Sequence, residues 1–427
     1  MTSLVHLSLT HFRNYRHLEL DFPNRLALLR GDNAQGKTNL LEAIYLLSTS
    51  KPIRAQLERE VVDWGADEEP IPYCRLAAQV LTGDVDQNQT SQNRPVEIEV
   101  LYTPRQDGVN FTKQVKINGV SKRSMDLVGV LRSVLFLPED VELIAGAPSE
   151  RRRYLDIALC QIDPGYCRAL SAYQKVLSQR NSLLKSLRDQ EVPAPSASAN
   201  RQLEYWDATL AQHGSLVLAR RQNYVTELNA LARRRHDELT GGRETLRLEY
   251  LPSFNLGPTD DDAFRRWKAG ESTLPQPGLD EFVAEPAQIA EKFLQKITHR
   301  RSRELAAGVT LYGPHRDDLR LFADDRDLRA YGSRGQQRSA AVALKLAEMY
   351  VMTEATGTAP LLLLDDVMSE LDAKRRGTLL AALNGVNQAI LTTTDWDDFA
   401  LDFRENATCL QVQAGQITSA ADALMDV

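Results

Sequence analysis

The sequence predicts an α/β fold whose parallel-sheet core is split into two halves by a long inserted helical lobe. In the first half, the apolar run RLALLRG leads through a glycine loop into TNLLEAIYLLS, whose apolar residues have helical spacing. In the second half, a run of leucines ends in an aspartate pair, in APLLLLDDVMSELD. Between the halves, from about Asp140 to Leu239, apolar residues again recur at helical spacing. We therefore expect one sheet core built from both ends of the chain.

These patterns divide the 427 residues into three segments. Residues 1–136 are expected to form the N-terminal half of the core, residues 137–305 an inserted, mainly helical lobe with basic patches, and residues 306–427 the C-terminal half. Alternating apolar residues predict antiparallel strands in the first thirty residues and again over 72–120. Within the lobe, Val192–Asn200 is predicted to be a loop, and 252–280 is expected to be irregular because it is rich in Pro, Gly and Asp.

Composition argues against several classes of protein. No apolar run approaches the ~18 residues that cross a bilayer, and His6, His11 and Arg13 interrupt the segment where a secretory signal needs an apolar stretch. The four cysteines are scattered without a Cys-x-x-Cys pair, which argues against a zinc site and a disulfide framework. We expect a cytoplasmic protein with reduced thiols and no membrane partner.

The glycine loop has the spacing of a phosphate-binding loop. Gly31, Gly36, Lys37 and Thr38 fit G-x-x-x-x-G-K-[ST] in full. Glycines let backbone N–H groups surround phosphates at a helix N-terminus, the lysine reaches the β and γ oxygens, and the threonine hydroxyl ligates Mg²⁺. The residues expected to bind ATP are Gly31, Asp32, Asn33, Ala34, Gln35, Gly36, Lys37, Thr38 and Asn39. Arg13 is a further candidate phosphate contact, and an ordinary surface arginine is the alternative.

The aspartate pair supplies the acidic groups that the loop lacks nearby. Asp365 ends the leucine run, where an aspartate completes the Mg²⁺ shell together with Thr38. Asp366 occupies the place of a general base or water-orienting carboxylate, which is usually a glutamate. Lys37, Asp365 and Asp366 are therefore the predicted catalytic residues. The alternative is that the two aspartates cap the following helix.

A third motif, Ser333-Arg334-Gly335-Gln336-Gln337, matches the S-x-G-Q sequence that opens a helix in ABC-type ATPases. A serine hydroxyl, a glycine N–H and a helix N-terminus together form a second anion site. The motif precedes Asp365 by 32 residues, which is the order expected for that class.

Together these residues resemble the SMC-like branch of ABC-type P-loop ATPases. Five ordered motifs narrow the resemblance to the RecF family: FRNY (Phe12–Tyr15), LPEDVELIAGAPSERRRYLD (Leu137–Asp156), GPHRDDL (Gly313–Leu319), GQQRSAAVALKLAE (Gly335–Glu348) and LLLLDDVMSELD (Leu361–Asp372). The resemblance implies a fold of the ABC/SMC-like ATPase head without a long coiled coil. It also implies that Ser369, Leu371 and Asp372 form the D-loop.

The resemblance further implies an ATP-induced homodimer. Each ATP would lie between the phosphate-binding loop of one subunit and Ser333–Gln337 of the other. Such a dimer binds double-stranded DNA and single/double-strand junctions, hydrolyses ATP slowly with weak stimulation by DNA, and acts with RecO and RecR to support RecA loading on gapped DNA. ATP and Mg²⁺ are the implied cofactors.

Charge distribution gives the candidate DNA contacts. The chain has a net charge of −7, yet Arg151–Arg235 contains 14 Lys/Arg against 7 Asp/Glu. Because arginine forks bind phosphate oxygens in pairs, the candidates are Arg151, Arg152, Arg153, Arg220, Arg221, Arg233, Arg234 and Arg235. The alternative is a solvated helix surface in which about half of these arginines pair with acids of the lobe.

Several assignments depart from the ABC pattern. The switch histidine of transporters is absent from TTTDW, so Thr393 or Thr394 is the candidate replacement, and Glu139 and Asp140 are candidates for the Q-loop position. His315 in GPHRDDL is expected to be structural. Two other functions remain open: a nucleotide-binding, DNA-bridging scaffold with negligible turnover, which the aspartate at position 366 favours, and a transporter-type ABC ATPase subunit, which the missing histidine disfavours.

Overall fold

A computed structural model of the chain describes residues 2–53, 55, 57–63, 65–66, 72–83, 93–106, 110–192, 196–257, 260–271 and 285–420. The chain forms two compact units. The first, called the core unit, contains residues 1–140, 238–241 and 342–427, and the second, called the helical unit, contains residues 141–237 and 242–341. The split of one core between the two ends of the chain agrees with the pattern of the sequence.

The strands are, in chain order, β1 (Thr2–Phe12), β2 (Tyr15–Asp21), β3 (Leu26–Arg30), β4 (Cys74–Gly83), β5 (Asn93–Pro104), β6 (Phe111–Ile117), β7 (Val120–Lys122), β8 (Ser133–Phe136), β9 (Leu246–Leu251), β10 (Asp318–Ala323), β11 (Arg326–Asp327), β12 (Leu361–Asp365), β13 (Ala389–Thr393), β14 (Thr408–Gln413) and β15 (Gln416–Ser419).

The α-helices are, in chain order, α1 (Lys37–Thr49), α2 (Ser124–Leu127), α3 (Glu142–Ala145), α4 (Pro148–Ile162), α5 (Pro164–Asp189), α6 (Ala197–Thr240), α7 (Asp261–Lys268), α8 (Pro286–His299), α9 (Arg301–Ala307), α10 (Leu328–Tyr331), α11 (Arg334–Thr356), α12 (Ala373–Ala382) and α13 (Leu401–Glu405).

The core unit contains two six-stranded sheets. The first is antiparallel, with the order β2-β1-β4-β5-β6-β7. In β2, Leu18 and Leu20 are buried while Glu19 and Asp21 are exposed, an alternation that an antiparallel sheet with one buried face requires. The second has the order β15-β14-β3-β13-β12-β8, and all its pairs are parallel except β14–β15. β12 is buried along its whole length, which explains its unbroken run of leucines.

The strand order of the second sheet positions the site. β13 lies between β3 and β12, so the carboxyl ends of three parallel strands meet at one edge. Ligand sites in parallel α/β sheets lie at this edge, where the strands end and the loops begin. The phosphate-binding loop follows β3, and the aspartate pair stands at the end of β12.

The helical unit has a three-stranded antiparallel sheet of its own, in the order β11-β10-β9. Because β10 pairs with β9, residues 306–341 belong to the helical unit. The sequence boundaries had placed these residues, including the S-x-G-Q motif, in the C-terminal half of the core. Long-range strand pairing of this kind leaves no signal in local periodicity.

Two segments that were predicted to be irregular contain helical residues. Within 252–280, which was expected to be irregular, the helix α7 forms, with Asp260 accepting hydrogen bonds from the backbone N–H of Asp262 and Ala263. Residues 258–259 and 272–280 of that segment lie outside the described residues. The predicted loop Val192–Asn200 separates α5 from α6, although α6 already begins at Ala197, and residues 193–195 are likewise outside the description.

Candidate active site

The phosphate-binding loop is held in a compact conformation between β3 and α1. Gly36 has φ 118°, and a Cβ atom there would meet Nδ2 of Asn14 at 2.7 Å, so only glycine fits. Lys37 is 7% exposed, and its Nζ donates hydrogen bonds to the carbonyls of Gly31 and Asp32. Burial lowers the pKa of Lys37, while the carboxylates nearby oppose that shift. The lysine thus keeps the loop closed around its own ammonium group.

Thr38 and Asp365 meet at the carboxyl edge of the sheet. Oγ1 of Thr38 donates to Oδ2 of Asp365 at 2.7 Å. The other carboxylate oxygen of Asp365 accepts from Oγ1 of Thr392 at 2.9 Å, and the same hydroxyl accepts from the backbone N–H of Asp366 at 3.0 Å. Both oxygens of Asp365 are therefore oriented by hydroxyl groups from neighbouring elements.

A cavity of about 360 Å³ surrounds these groups. Its lining consists of Asp32, Asn33, Ala34, Gln35, Gly36, Lys37, Thr38, Asn39, Pro138, Glu139, Asp365 and Asp366. The sequence had selected eleven of these twelve residues, namely the eight loop residues, the two aspartates and Glu139 of the LPED segment, and only Pro138 is new. Asp140, the other Q-loop candidate, instead accepts a hydrogen bond from the backbone N–H of Leu137 at 2.8 Å.

The oxygen atoms in this cavity fit a magnesium ion. Thr38 contributes a hydroxyl and Asp365 a carboxylate. Both are hard oxygen ligands, and Mg²⁺ is usually bound by only one or two such protein groups. No cluster of three or more His, Cys, Asp and Glu side chains suited to a metal occurs within the described ranges. A site of this sparse type leaves the remaining Mg²⁺ positions for phosphate oxygens and water.

Asp366 is held in an unusual environment. Its backbone is left-handed, with φ 48°, and its side chain makes no capping hydrogen bond to the following short helix. Its Oδ1 is buried, with no hydrogen-bond partner in the part of the chain that the structure describes. Burial raises the pKa of Asp366, although Lys37 opposes the shift. The alternative that this aspartate pair caps the next helix is wrong, because Asp372 caps α12 through the N–H of Arg375.

The turn between β1 and β2 supports the loop from outside. Nδ2 of Asn14 donates to the carbonyl of Gln35 at 3.0 Å, and Oδ1 of Asn14 accepts from Nδ2 of Asn39 at 2.8 Å. Tyr15 donates its hydroxyl to the carbonyl of Gly36 at 3.0 Å. The FRNY motif therefore binds the loop through side chains that the sequence analysis did not assign.

Arg13 does not lie where it was expected. It is absent from the lining of the cavity, and its guanidinium forms a two-pronged ion pair with Glu42, at 3.0 and 2.9 Å, on helix α1. Glu42 is 3% exposed, and a buried carboxylate needs such a partner. In this structure Arg13 is a support of α1 rather than a phosphate contact.

Comparisons with known proteins identify the family. A sequence profile described as "RecF/RecN/SMC N terminal domain" matches residues 3–416. The chain is 44% identical over 421 residues to the DNA replication and repair protein RecF of Chloroflexus aurantiacus, with 96% of this chain and 98% of that protein covered. With RecF of Roseiflexus castenholzii it shares 41% identity, covering 97% and 99%. The chain belongs to the RecF family of DNA replication and repair proteins.

Solved RecF structures agree with this assignment. One is the recombination mediator protein RecF with ATPrS in the RecFOR pathway, with TM-score 0.79 and 33% identity over 98% of both chains. A second, of RecF with ATP, has the same TM-score and identity over 98% of this chain and 97% of the other. The predicted fold class, an ABC/SMC-like P-loop ATPase head with a split core and an inserted helical lobe, is confirmed.

The S-x-G-Q motif of this RecF-family chain opens helix α11 at the surface of the helical unit. Gln336 and Ser333 cap each other: the N–H of Ser333 donates to Oε1 of Gln336 at 2.9 Å, and the N–H of Gln336 donates to Oγ of Ser333 at 3.3 Å. Ser333, Arg334 and Gly335 are exposed. Gln337 is instead buried, where its amide donates to the carbonyl of Leu328 at 2.9 Å, so this member of the motif supports the helix from inside.

The predicted D-loop residues follow Asp366 directly. Oγ of Ser369 donates to the carbonyl of Asp366 at 2.8 Å, and Leu371 is buried. Asp372 is exposed and caps α12. Two of the three residues therefore stabilise the segment that holds Asp366.

Several predicted DNA contacts are internal supports of the helical unit. Arg151 is 2% exposed and pairs with Asp318 at 2.7 Å. Arg221 is also 2% exposed, pairs with Asp156 at 2.7 Å and donates to the carbonyl of Pro314 at 2.7 Å. The prediction that these two arginines bind DNA is wrong, because a buried guanidinium already satisfied by a carboxylate has no free face for a phosphate.

The remaining candidate arginines differ in exposure. Arg152 is half-buried and donates to the carbonyl of Asp317 at 2.8 Å, while Arg220 is exposed and lies 3.2 Å from Asp163. Arg153 and Arg235 are half-buried, and Arg233 and Arg234 are exposed. The run of three arginines on α6 thus contributes two side chains to the surface.

The GPHRDDL motif, which contacts Arg151, Arg152 and Arg221, is structural. His315 contacts the hydroxyl of Tyr173 at 2.6 Å and the carbonyl of Thr310 at 3.1 Å, and burial lowers its pKa to about 4. Asp317 accepts from the hydroxyl of Tyr250 and from the N–H of Ser253. The motif therefore connects helix α5 to the strands of the helical unit, as the structural interpretation of His315 expected.

The structure also reveals a residue that the sequence analysis missed. Thr392, at the carboxyl end of β13, contacts Asp365 and Asp366, whereas Thr393 donates to Oδ2 of Asp398 at 2.8 Å. Thr393 and Thr394 had been the candidates in TTTDW. Alternation of side chains along a strand separates Thr392 from Thr393 by face, but the register that decides between them comes only from the pairing of Asp365 with Thr392.

Two further expectations concern the whole chain. All four cysteines are free thiols. Within the portion of the chain that the structure covers, no helix combines the length and the apolar character that a membrane crossing demands.

Proposed function

We propose that this chain is an ATP-dependent DNA-binding protein of replication and repair. ATP would join two copies into a clamp or loader on double-stranded or gapped DNA, and slow hydrolysis, weakly stimulated by DNA, would release it. Its partners would be RecR with RecO, and through them RecA. The observation that carries this proposal is the hydrogen bond between Thr38 and Asp365 inside a cavity lined by the phosphate-binding loop.

The cavity residues have separate roles in this proposal. The loop N–H groups from Gly31 to Thr38 bind the phosphates, and Lys37 exchanges its two carbonyl partners for phosphate oxygens. Thr38 and Asp365 would hold Mg²⁺, whose chemistry is to neutralise negative charge on the β and γ phosphates. Asp366 orients the attacking water and accepts its proton, and its raised pKa brings it closer to the range in which a carboxylate is an effective base.

The geometry of the second motif supports the proposed dimerisation. Ser333 Oγ accepts a hydrogen bond from Gln336, which leaves the hydroxyl proton of Ser333 for an external acceptor. Nothing lies within 4 Å of a Cβ placed on Gly335, so its backbone N–H can be approached closely. An exposed helix N-terminus with these two donors suits the γ-phosphate of an ATP held by a second copy of the chain.

DNA binding is assigned to the exposed arginines of the helical unit. Arg233 and Arg234 project from the surface near the end of α6, where a phosphate backbone can reach both. Because such contacts read charge and not bases, we expect binding without sequence preference and with a steep dependence on salt.

Sedimentation tests the central claim. Wild-type protein should sediment as a monomer without nucleotide and as a dimer with ATP and Mg²⁺, whereas Lys37→Met should remain monomeric under both conditions. Gapped duplex DNA should sediment with the wild-type dimer only. A Lys37→Met protein that still dimerises with ATP would contradict the sandwich arrangement.

A nucleotide-binding scaffold is the second candidate function, and Asp366 favours it. A shorter carboxylate in the place of a glutamate reaches less far toward the attacking water and would give little turnover. If dimer and DNA complex persist unchanged for hours in ATP, and Asp366→Asn behaves identically, the protein is a scaffold and not a slow switch.

A further inference from the structure

Helix α5 presents a long face without acidic residues. The helix has 26 residues, and its only acidic residue is the last residue, Asp189. Its buried residues include Tyr166, Tyr173 and Leu184, which fall on one side of the helix. The opposite side carries exposed residues, among them Arg168, Ser171, Lys175, Ser178, Ser182 and Lys185.

This face differs from an ordinary solvated helix surface. Such surfaces interleave charges of both signs, and this chain has more acids than bases, 58 against 51. None of the ion pairs recorded for the described residues involves Arg168, Lys175 or Lys185, in contrast to Arg180 on the buried side, which pairs with Asp207 and Glu304. The helix therefore pairs its buried Arg180 and its terminal Arg188 with acids and leaves the other three cations facing water.

We propose that this exposed face of α5 is a binding surface for the phosphate backbone of duplex DNA. The inference rests on the proposed function and adds a second contact surface to Arg233 and Arg234 in its DNA-binding part. Arg168, Lys175 and Lys185 neutralise phosphates, and the hydroxyls of Ser171 and Ser178 donate hydrogen bonds to phosphate oxygens, as neutral side chains do in protein–DNA interfaces. The hydroxyl of Ser182 instead donates to the carbonyl of Ser178 at 3.0 Å.

The dimensions of the face suit a backbone. With a rise of about 1.5 Å per residue, Arg168 and Lys175 are about 10 Å apart along the helix. Lys175 and Lys185 are about 15 Å apart. Between Arg168 and Lys185 the face offers donors and no carboxylate that repels a phosphate. It has no exposed aromatic residue for stacking on an unpaired base, so duplex backbone is favoured over single strands. Sequence inspection overlooked it because the cations are spaced along a helix and do not form a run.

A charge-removal experiment tests the surface. We compare wild type, the triple variant Arg168→Gln/Lys175→Gln/Lys185→Gln, and a matched control, Arg265→Gln/Arg266→Gln/Arg303→Gln, which removes three exposed cations from other helices of the same unit. Affinity for a blunt DNA duplex of arbitrary sequence is measured with ATP between about 50 and 200 mM salt. ATP affinity and the thermal midpoint are measured for each protein.

The expected result is a shallower salt dependence in the α5 variant alone. Losing three phosphate contacts lowers the slope of log K against log salt by about 2.7 and weakens binding at least about tenfold at about 0.1 M salt. The charge-conserving variant Arg168→Lys/Lys175→Arg/Lys185→Arg should retain the wild-type slope. An unchanged slope in the α5 variant, with the wild type binding DNA, overturns this surface and leaves the proposed function standing. Absence of DNA binding by the wild type overturns both.

Discussion

Thr38 and Asp365 share a hydrogen bond of 2.7 Å although 327 residues separate them in the chain. The contact is possible because β13 lies between β3 and β12, so that both residues stand at the same edge of one parallel sheet. The chain therefore closes its candidate magnesium site only when the two ends of the sequence have folded together.

The first prediction concerns the magnesium ligand. Asp365→Asn keeps the shape of the side chain and removes its charge, so Mg²⁺ should increase ATP affinity about 10- to 100-fold less than in wild type. Affinity for ATP in EDTA should change little, because the loop N–H groups and Lys37 are intact. Titrations of nucleotide with and without Mg²⁺ measure both values, and an equal effect of Mg²⁺ on both proteins would contradict the assignment.

The second prediction concerns Asp366, whose pKa is raised by burial. A carboxyl with a raised folded-state pKa is relatively favoured when protonated, and its ionised form at neutral pH opposes folding. Asp366→Asn should therefore raise the thermal midpoint at pH 7, and the gain should disappear as the pH falls below the folded-state pKa. The same variant should lose about 100-fold or more in ATP turnover, because it removes a general base. Increased stability together with unchanged turnover would exclude Asp366 from the reaction.

The third prediction concerns the turn that supports the loop. Asn14→Ala removes two hydrogen bonds, to Gln35 and from Asn39, each with a net value of about 1 kcal/mol. We expect ATP to bind about tenfold more weakly, since part of this loss appears as disorder in the free loop. Asn24→Ala is the matched control, because it removes one exposed hydrogen bond to Thr408 elsewhere in the core unit. Equal ATP affinity in wild type and Asn14→Ala would show that the loop keeps its shape unaided.

The parts of the site predicted from sequence are those encoded within a few residues. The glycine loop needs its residues at fixed spacing because the backbone must turn around a phosphate, so the motif is readable without a structure. The leucines before Asp365 are equally readable, because a parallel strand buried on both faces is a continuous apolar run. Both therefore appear in the structure as the sequence implied.

The parts of the site that could not be predicted depend on which distant residue contacts a given side chain. Arg151 and Arg233 look alike in the sequence, yet the first pairs with Asp318, whereas the second forms no ion pair with any residue that the structure describes. Thr392 differs from Thr393 only by strand register. In the sequence, Asn14 looks like any asparagine in a turn. Its role appears only when the phosphate-binding loop packs against it in the folded chain. Tertiary contacts decide all three.

The fourth prediction separates buried from exposed arginines. Arg221→Ala removes a buried guanidinium and leaves the half-buried Asp156 without its ion-pair partner, so it should lower the free energy of unfolding of the helical unit by about 3–5 kcal/mol. Arg233→Ala and Arg234→Ala should each change it by no more than about 0.5 kcal/mol, while weakening DNA binding and flattening its salt dependence. Denaturation with urea and DNA titration on the same preparations compare the two effects. A stable Arg221→Ala protein with weakened DNA binding would restore Arg221 as a DNA contact.

The last prediction concerns His6, on the solvent face of the first sheet. Its Nδ1 lies 2.6 Å from Oδ1 of Asp21, and its Nε2 lies 2.7 Å from Oε2 of Glu19. Ionised carboxylates only accept hydrogen bonds, so the imidazolium form of His6, with a proton on each ring nitrogen, satisfies both partners at once. The hydrogen bond to Asp21 is the largest cause that raises the pKa of His6, and burial only partly opposes it.

The sign of the pH dependence follows from that raised pKa. His6 stabilises the β1–β2 hairpin fully below its unfolded-state pKa of about 6.5, and this contribution disappears as the pH rises through the higher folded-state value. The thermal midpoint of wild type should therefore exceed that of His6→Gln at pH 6 and converge with it in alkaline solution. Because the hairpin turn carries Asn14, the ATP affinity of His6→Gln should also fall at pH 6. A difference in thermal midpoint between the two proteins that does not change with pH would mean that His6 is neutral in the folded state.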